Sequence, residues 1–232
     1  MVYKRDINNI AYSNEYINHR NKIINETYNQ KYKTEEEIFE LNNDIKIICE
    51  HYFTDGKYLT KDNSYCGYNK IYKNNILLHE YFNLYDQHFF CEYIKYSNEL
   101  DYIFYKEDLY GYSVFENNSK TIFNYYPKAT FIDQKETFIG TSIHYNKNNN
   151  IFAVEGCYWA CPYDTFLIKI DNPMKQFCGL INIHEIIDPE YNKYDDINFM
   201  EWEYNDILLK IENKEILKLT EEEYMKKIIW IK

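Results

Sequence analysis

Phe138-Ile139-Gly140-Thr141-Ser142-Ile143-His144-Tyr145-Asn146-Lys147, then Asn150-Ile151-Phe152-Ala153-Val154, then Phe166-Leu167-Ile168-Lys169-Ile170, is the stretch whose reading decides the fold. Short runs of β-branched and aromatic residues follow one another, with Asn-rich turns and no helical pattern between them. The same order occurs earlier in the chain. Phe89 leads to Ile94-Lys95-Tyr96-Ser97-Asn98, then Asp101-Tyr102-Ile103-Phe104-Tyr105, then Gly111-Tyr112-Ser113-Val114-Phe115. Phe89 and Phe138, like Tyr96 and Tyr145, stand 49 residues apart. A period of about 40–50 residues with four strands per unit is what propeller blades present.

Outward from this pair of repeats the texture continues. Strand-like runs fall at 45–52, 58–60, 68–72 and 76–81, which makes another unit over 45–85. Met200-Glu201-Trp202-Glu203-Tyr204-Asn205, followed by runs at 207–211 and 215–219, makes a last, shorter one. The expectation is a mainly β chain of propeller-like antiparallel four-stranded repeats, about four units, forming a ring or an incomplete ring. A curved meander or a sandwich shares the pattern. No WD dipeptide or kelch glycine pair points to a particular propeller family.

The two ends read differently. Residues 1–43 are expected as an N-terminal helical or extended region and 44–232 as the β domain. Ile7, Ile10, Ile17, Ile23 and Ile24 have a loose helical spacing. Thr34-Glu35-Glu36-Glu37 is a capping box and predicts a helix over 35–42. Thr220-Glu221-Glu222-Glu223 is a second capping box. It predicts a helix of one or two turns, then a terminal strand that completes the first or last blade with Ile229 and Ile231 packed inward.

Composition bounds the function. The 232 residues include 27 Tyr and 14 Phe but only six Gly, four Pro and two Arg, Arg5 and Arg20. This is the codon bias of an AT-rich genome, such as that of a large DNA virus, a low-GC bacterium or a protist. The net charge of −11 argues against gripping a phosphate backbone, so no nucleic-acid partner is expected. The first residues carry no apolar signal region, and no apolar run approaches the ~20 residues of a membrane span. A cytoplasmic protein with no membrane partner is expected. Its six cysteines, Cys49, Cys66, Cys91, Cys157, Cys161 and Cys178, then read as free, buried thiols.

One segment stands out as a candidate site, Glu155-Gly156-Cys157-Tyr158-Trp159-Ala160-Cys161-Pro162-Tyr163-Asp164. Its structural reading is a wide connection between two strands. Gly156 would supply positive φ or close backbone approach, Pro162 would fix the exit, and Trp159 would plug the core. Zinc is an alternative, with Cys157 and Cys161 completed by Cys178 and His144 or His184. The spacing is C-x₃-C, however, rather than the C-x₂-C of structural zinc sites. A hydrolase is another, with Glu155, Asp164 and His144 around the same segment, since two carboxylates at a set separation can run glycoside hydrolysis. Glu107-Asp108 occupies the corresponding place in the preceding unit, where a carboxylate is expected to cap turn N–H groups. No Gly-rich phosphate loop and no G-x-S-x-G is present. The favoured expectation is non-enzymatic protein–protein interaction without a cofactor. Its face would be built from Tyr158, Trp159, Tyr163 and Asp164, with Tyr110 and Tyr112 from the preceding unit.

The stretch from Ile143 through Gly156-Cys157-Tyr158-Trp159-Ala160-Cys161-Pro162-Tyr163 to Asp171-Asn172-Pro173-Met174 resembles a group of small proteins from low-GC bacteria, amoebae and giant viruses. That group carries a G-C-x-W-A-C-P-Y box, and Glu107–Phe115 resembles it too. Together these segments cover about a third of the chain. The resemblance implies a cytosolic protein of an AT-rich genome and carries over no activity, cofactor or catalytic residue.

Overall fold

The computed structural model describes residues 8–41, 44–54, 65–84, 91–158, 163–190, 193–194, 197–211 and 215–231. The run expected at 58–60, the repeat residue Phe89, and Trp159, Ala160, Cys161 and Pro162 lie outside them. The described chain divides into two compact units, Met1–Ile94 with Asp101–Lys135, and Lys95–Leu100 with Glu136–Lys232.

The first unit opens with α1 (Asn14–Thr27), capped by Ser13, whose side chain accepts from the Tyr16 N–H at 3.1 Å. A short 3₁₀ turn, Gln30–Tyr32, leads into a meander of β1 (Lys33–Glu40), β2 (Ile45–Phe53), β3 (Tyr65–Lys73) and β4 (Ile76–Leu84). A second meander follows, β5 (Cys91–Lys95), β6 (Asp101–Tyr105), β7 (Tyr112–Glu116) and β8 (Thr121–Tyr125), before the single turn of α2 (Lys128–Phe131). Alternate residues along a strand share a face. Ile45, Ile47, Ile71 and Tyr81 of the first sheet therefore meet Cys91, Ile103, Tyr105 and Phe115 of the second in one buried cluster. Tyr16, Arg20, Ile23 and Thr27 share one face of α1 by the spacing of helical turns, and Ile23 joins Tyr52, Cys66 and Leu84 in a smaller cluster.

The second unit repeats the plan. The meander β9 (Ile139–Asn146), β10 (Ile151–Cys157), β11 (Asp164–Lys169) and β12 (Gly179–Asn182) leads through the short α3 (His184–Ile187) to β13 (Ile197–Glu203), β14 (Asp206–Ile211) and β15 (Glu215–Leu219). Then α4 (Glu221–Met225), with the expected capping box at Thr220, leads to β16 (Ile229–Trp230). Ile151, Ala153, Leu167 and Ile181 of one sheet pack with Ile197, Ile207, Leu209 and Leu219 of the other, and Tyr224 and Ile228 close the cluster. The turn 95–100 belongs to this unit. There Tyr96 stacks on Tyr145, its partner in the sequence repeat, at 4.8 Å.

The chain is thus mainly β, with four antiparallel blade-like sheets and a short N-terminal helix, as the repeat predicts. Among the described residues the last sheet has the fewest strands, three.

Three local expectations are corrected. Residues 33–40 form the strand β1 instead of a helix over 35–42. A capping box offers only local hydrogen bonds. The ladder of β2, by contrast, has outer N–H and C=O groups along its length that need partners. Strand β1 supplies them from Lys33 opposite Tyr52 to Glu40 opposite Lys46. The carboxylates there find side-chain partners instead, Glu36 the Lys33 ammonium at 3.1 Å and Glu37 the His51 Nε2 at 3.2 Å. Second, β16 joins β12 of the third sheet, with Gly179 opposite Trp230 and Leu180 opposite Ile229. Third, Ile229 is 49% exposed and Ile228 is the residue buried there, because a two-residue strand alternates only once and the inward place is taken one residue earlier. Among the described residues no helix is long and apolar enough to cross a membrane.

Candidate functional site

Register builds the acidic site of the second unit. Glu155 on β10 lies opposite Ser142 on β9, and Ala153 lies opposite His144, so Ser142, His144 and Glu155 come together on one face. Glu155 Oε2 accepts from Ser142 Oγ at 3.0 Å and lies 2.8 Å from His144 Nε2. The Phe199 N–H of β13 also donates to the carboxylate. The Phe199 ring stacks on His144 at 4.1 Å, and Trp202 Nε1 donates to the His144 carbonyl at 3.0 Å. The hydrogen bond from His144, followed by that from Ser142, holds the Glu155 carboxyl below the usual carboxylate range despite partial burial. An ionised carboxylate can only accept, so the proton in the Glu155–His144 contact sits on Nε2.

Behind Glu155 the strand is bulged. The register of β10 against β9 shifts between Glu155 and Gly156, and a Cβ at Gly156 would lie 2.0 Å from the Ile139 carbonyl oxygen. This is the close backbone approach expected of that glycine.

Asp164 does not join this cluster. Thr165 is the residue opposite Glu155, and alternation sends the Asp164 side chain to the other face of the sheet. There it accepts from the Thr165 N–H at 2.9 Å and from Asn182 Nδ2, and lies 3.9 Å from His184 Nδ1. Burial raises its pKa, opposed by those hydrogen bonds.

The arrangement limits the chemistry. In a nucleophilic triad the imidazole stands between hydroxyl and acid, whereas here the carboxylate stands between Ser142 and His144. Nor do Glu155 and Asp164 face one another across a cleft, as paired glycosidase carboxylates do. For metal, Cys157 and Cys178 are free thiols, and the Cys178 thiol contacts the Lys169 carbonyl and Asp171. Among the described residues no group of three or more His, Cys, Asp or Glu is placed to hold an ion; Cys161 lies outside them.

Of the residues expected to form a binding face, Tyr163 is 51% exposed, and Tyr158 sets its ring edge-on to Phe138 at 5.7 Å. Trp159 lies outside the described residues. Tyr110 and Tyr112 belong to the first unit. They line a cleft there with Tyr16, Glu107, Asp108 and Tyr126, whose free volume of about 10 Å³ matches the room one water needs.

The floor of that cleft is a second acidic cluster. Asp108 is buried and accepts from the Leu109 N–H at 2.7 Å, the turn-capping role expected for it, and also from Tyr16 Oη at 3.2 Å. Glu107 pairs with Arg20 at 2.8 Å and accepts from Tyr105 Oη at 3.3 Å, while Arg20 also donates to the Phe82 carbonyl at 2.6 Å. Burial raises the pKa of Glu107, with Arg20 opposing, and lifts Asp108 to about 7. Gly111, at φ +76°, lets the loop turn back under the Tyr125 carbonyl, 2.1 Å from where a Cβ would stand. The sequence reading found Glu107 and Asp108 but missed Tyr16 and Arg20. The available signal was rarity, since Arg20 is one of only two arginines in the chain.

Compared with known proteins, the chain matches no family model, no curated protein and no solved structure.

Proposed function

We propose that this chain is a non-enzymatic protein–protein interaction module. One observation carries the reading: in the second unit the polar groups are tied into the frame while large apolar side chains stand in solvent. Glu155 is engaged by Ser142, His144 and Phe199, and Asp164 by Thr165 and Asn182. Tyr163 is 51% exposed, Met200 41%, Tyr204 86%, Ile216 61% and Trp230 51%. Exposed aromatics with few titratable groups to spare suit a recognition surface better than a reaction site. The cytosol of an AT-rich genome, expected from composition and from the G-C-x-W-A-C-P-Y box, is the proposed setting.

The test is affinity capture of the tagged full chain from its native cell, with quantitative mass spectrometry. Wild type and Glu155→Gln are run beside each other, and hydrolase activity on a broad ester and glycoside panel is measured on the same samples. A stoichiometric partner retained by Glu155→Gln, with no turnover, supports the reading. Turnover that Glu155→Gln abolishes overturns it in favour of the hydrolase alternative.

A further inference from the structure

Resting on that reading, we propose where and how a partner binds: an extended, neutral-to-basic segment of a protein partner adds as a fourth strand to the outer edge of β15. Among the described residues the four sheets hold four, four, five and three strands. The chain's own last strand, β16, adds to β12 of the third sheet and leaves the last sheet one short. One edge of that three-stranded sheet is already occupied. On β13 the Phe199 N–H donates to Glu155, and the Ile197 carbonyl accepts from Thr165 Oγ1 at 3.4 Å. The other edge is β15, paired with β14 from Ile207 opposite Leu219 to Ile211 opposite Glu215, and among the described residues no strand pairs with its outer side. A row of outward N–H and C=O groups at strand spacing is matched by another strand.

Edges are ordinarily guarded by charge. Strand β1 has Glu35, Glu36 and Glu37, all exposed, along its length. On β15 the described charged side chain is Lys218. Its ammonium is drawn to Glu203 at 2.7 Å and Asp206 at 2.9 Å, over the β13–β14 hairpin and away from the open side. The other described side chains of the strand are apolar, Ile216 at 61% exposure, buried Leu219 and the half-buried Leu217, which packs against the core of the unit. A strand laid here would place every second side chain beside Leu217 and Leu219. Its remaining side chains would lie beside Ile216 on the face where Glu201, Glu203 and Asp206 outnumber Lys210 and Lys218, the last already paired with Glu203 and Asp206, in a chain of net charge −11. Apolar alternation with neutral or basic residues between is the pattern that fits.

The test pans the full-length chain against displayed linear nine-residue peptides and measures one synthesised winner by fluorescence anisotropy. The expected winner alternates apolar residues. Backbone N-methylation at positions of one parity should weaken it at least tenfold, and methylation at the other parity should leave it unchanged, because only alternate N–H groups face β15. Ile216→Asp should weaken binding at least tenfold. Ile76→Asp, equally exposed on the first unit, should not. A winner indifferent to Ile216→Asp, or tolerant of methylation at both parities, overturns strand addition at β15 while the interaction reading stands. Failure to enrich any peptide counts against both. A dimer of the chain dispersed by Ile216→Asp makes a second copy the occupant and overturns the partner assignment.

Discussion

The two units place acids at neighbouring points of the sequence repeat, Glu155 aligning at the 49-residue offset with Lys106 just before Glu107, and hold them in opposite ways. In the first, Glu107 and Asp108 sit inside, and burial pushes both carboxyls up, Asp108 to about 7. In the second, Glu155 is half-buried, and its donors push it down. The difference lies in what arrives from elsewhere in the chain. Helix α1 closes over the first pair with Tyr16 and Arg20. The second is met by two strands of its own unit, β9 through His144 and β13 through the Phe199 N–H. Desolvation dominates where a helix lies on top, and hydrogen bonding dominates where a sheet edge supplies donors. The chemistry of each acid is thus set by what covers it.

Breaking the cover of the first unit should have the largest effect. Arg20→Ala leaves Glu107 mostly buried without its cation and should cost about 3–5 kcal/mol, the range for removing one partner of a buried pair. Urea unfolding of the full chain checks this.

The pH dependence sharpens the comparison. The folded pKa of Asp108 is raised from an ordinary 3.8 to about 7, so the folded state holds the extra proton between those values. Its contribution to stability therefore falls as pH rises from about 4 to 7, by up to about 1.4 kcal/mol per pH unit, and is then constant. The groups facing it are Tyr16 and Arg20 from α1 and Lys106 and Leu109 from its own loop. Asp108→Asn should flatten this slope. Glu155 acts in the opposite sense. Its folded pKa lies below the ordinary value, so its contribution is present above about 4.5 and is lost as pH falls through the folded pKa. Denaturation midpoints across pH 3–8 for wild type, Asp108→Asn and Glu155→Gln separate the two.

Gly156→Ala should come next. The added methyl meets the Ile139 carbonyl, so the bulge must open, at a cost of about 1–3 kcal/mol. Thermal unfolding measures it. Glu155→Gln at pH 7 should be smallest, about 1–2 kcal/mol, because an amide keeps the shape and some of the hydrogen bonds while losing their charge assistance.

The sequence carried what depends on neighbours along a strand. The short β-branched and aromatic runs, the Asn-rich turns between them and the 49-residue offset pointed to strands, meanders and unit count. His144 and Glu155, both named as candidates around one segment, meet because a tight turn joins their strands and brings residues 11 apart into contact. What could not be read depended on distant cover. Tyr16 meets Asp108 across 92 residues, and no local pattern records that. Thr34-Glu35-Glu36-Glu37 misled for the same reason, since its hydrogen bonds favour a helix while the open ladder of β2 requires a strand.

The most direct measurement is a carbon-13 titration of the side-chain carboxyls in the full chain, with Asp108 and Glu155 assigned by their Asn and Gln substitutions. The predicted result is an Asp108 midpoint near 7 and a Glu155 midpoint below 4.5 in the same sample. Two ordinary midpoints, or a shift of both in the same direction, would contradict the claim that the cover decides how each acid is held.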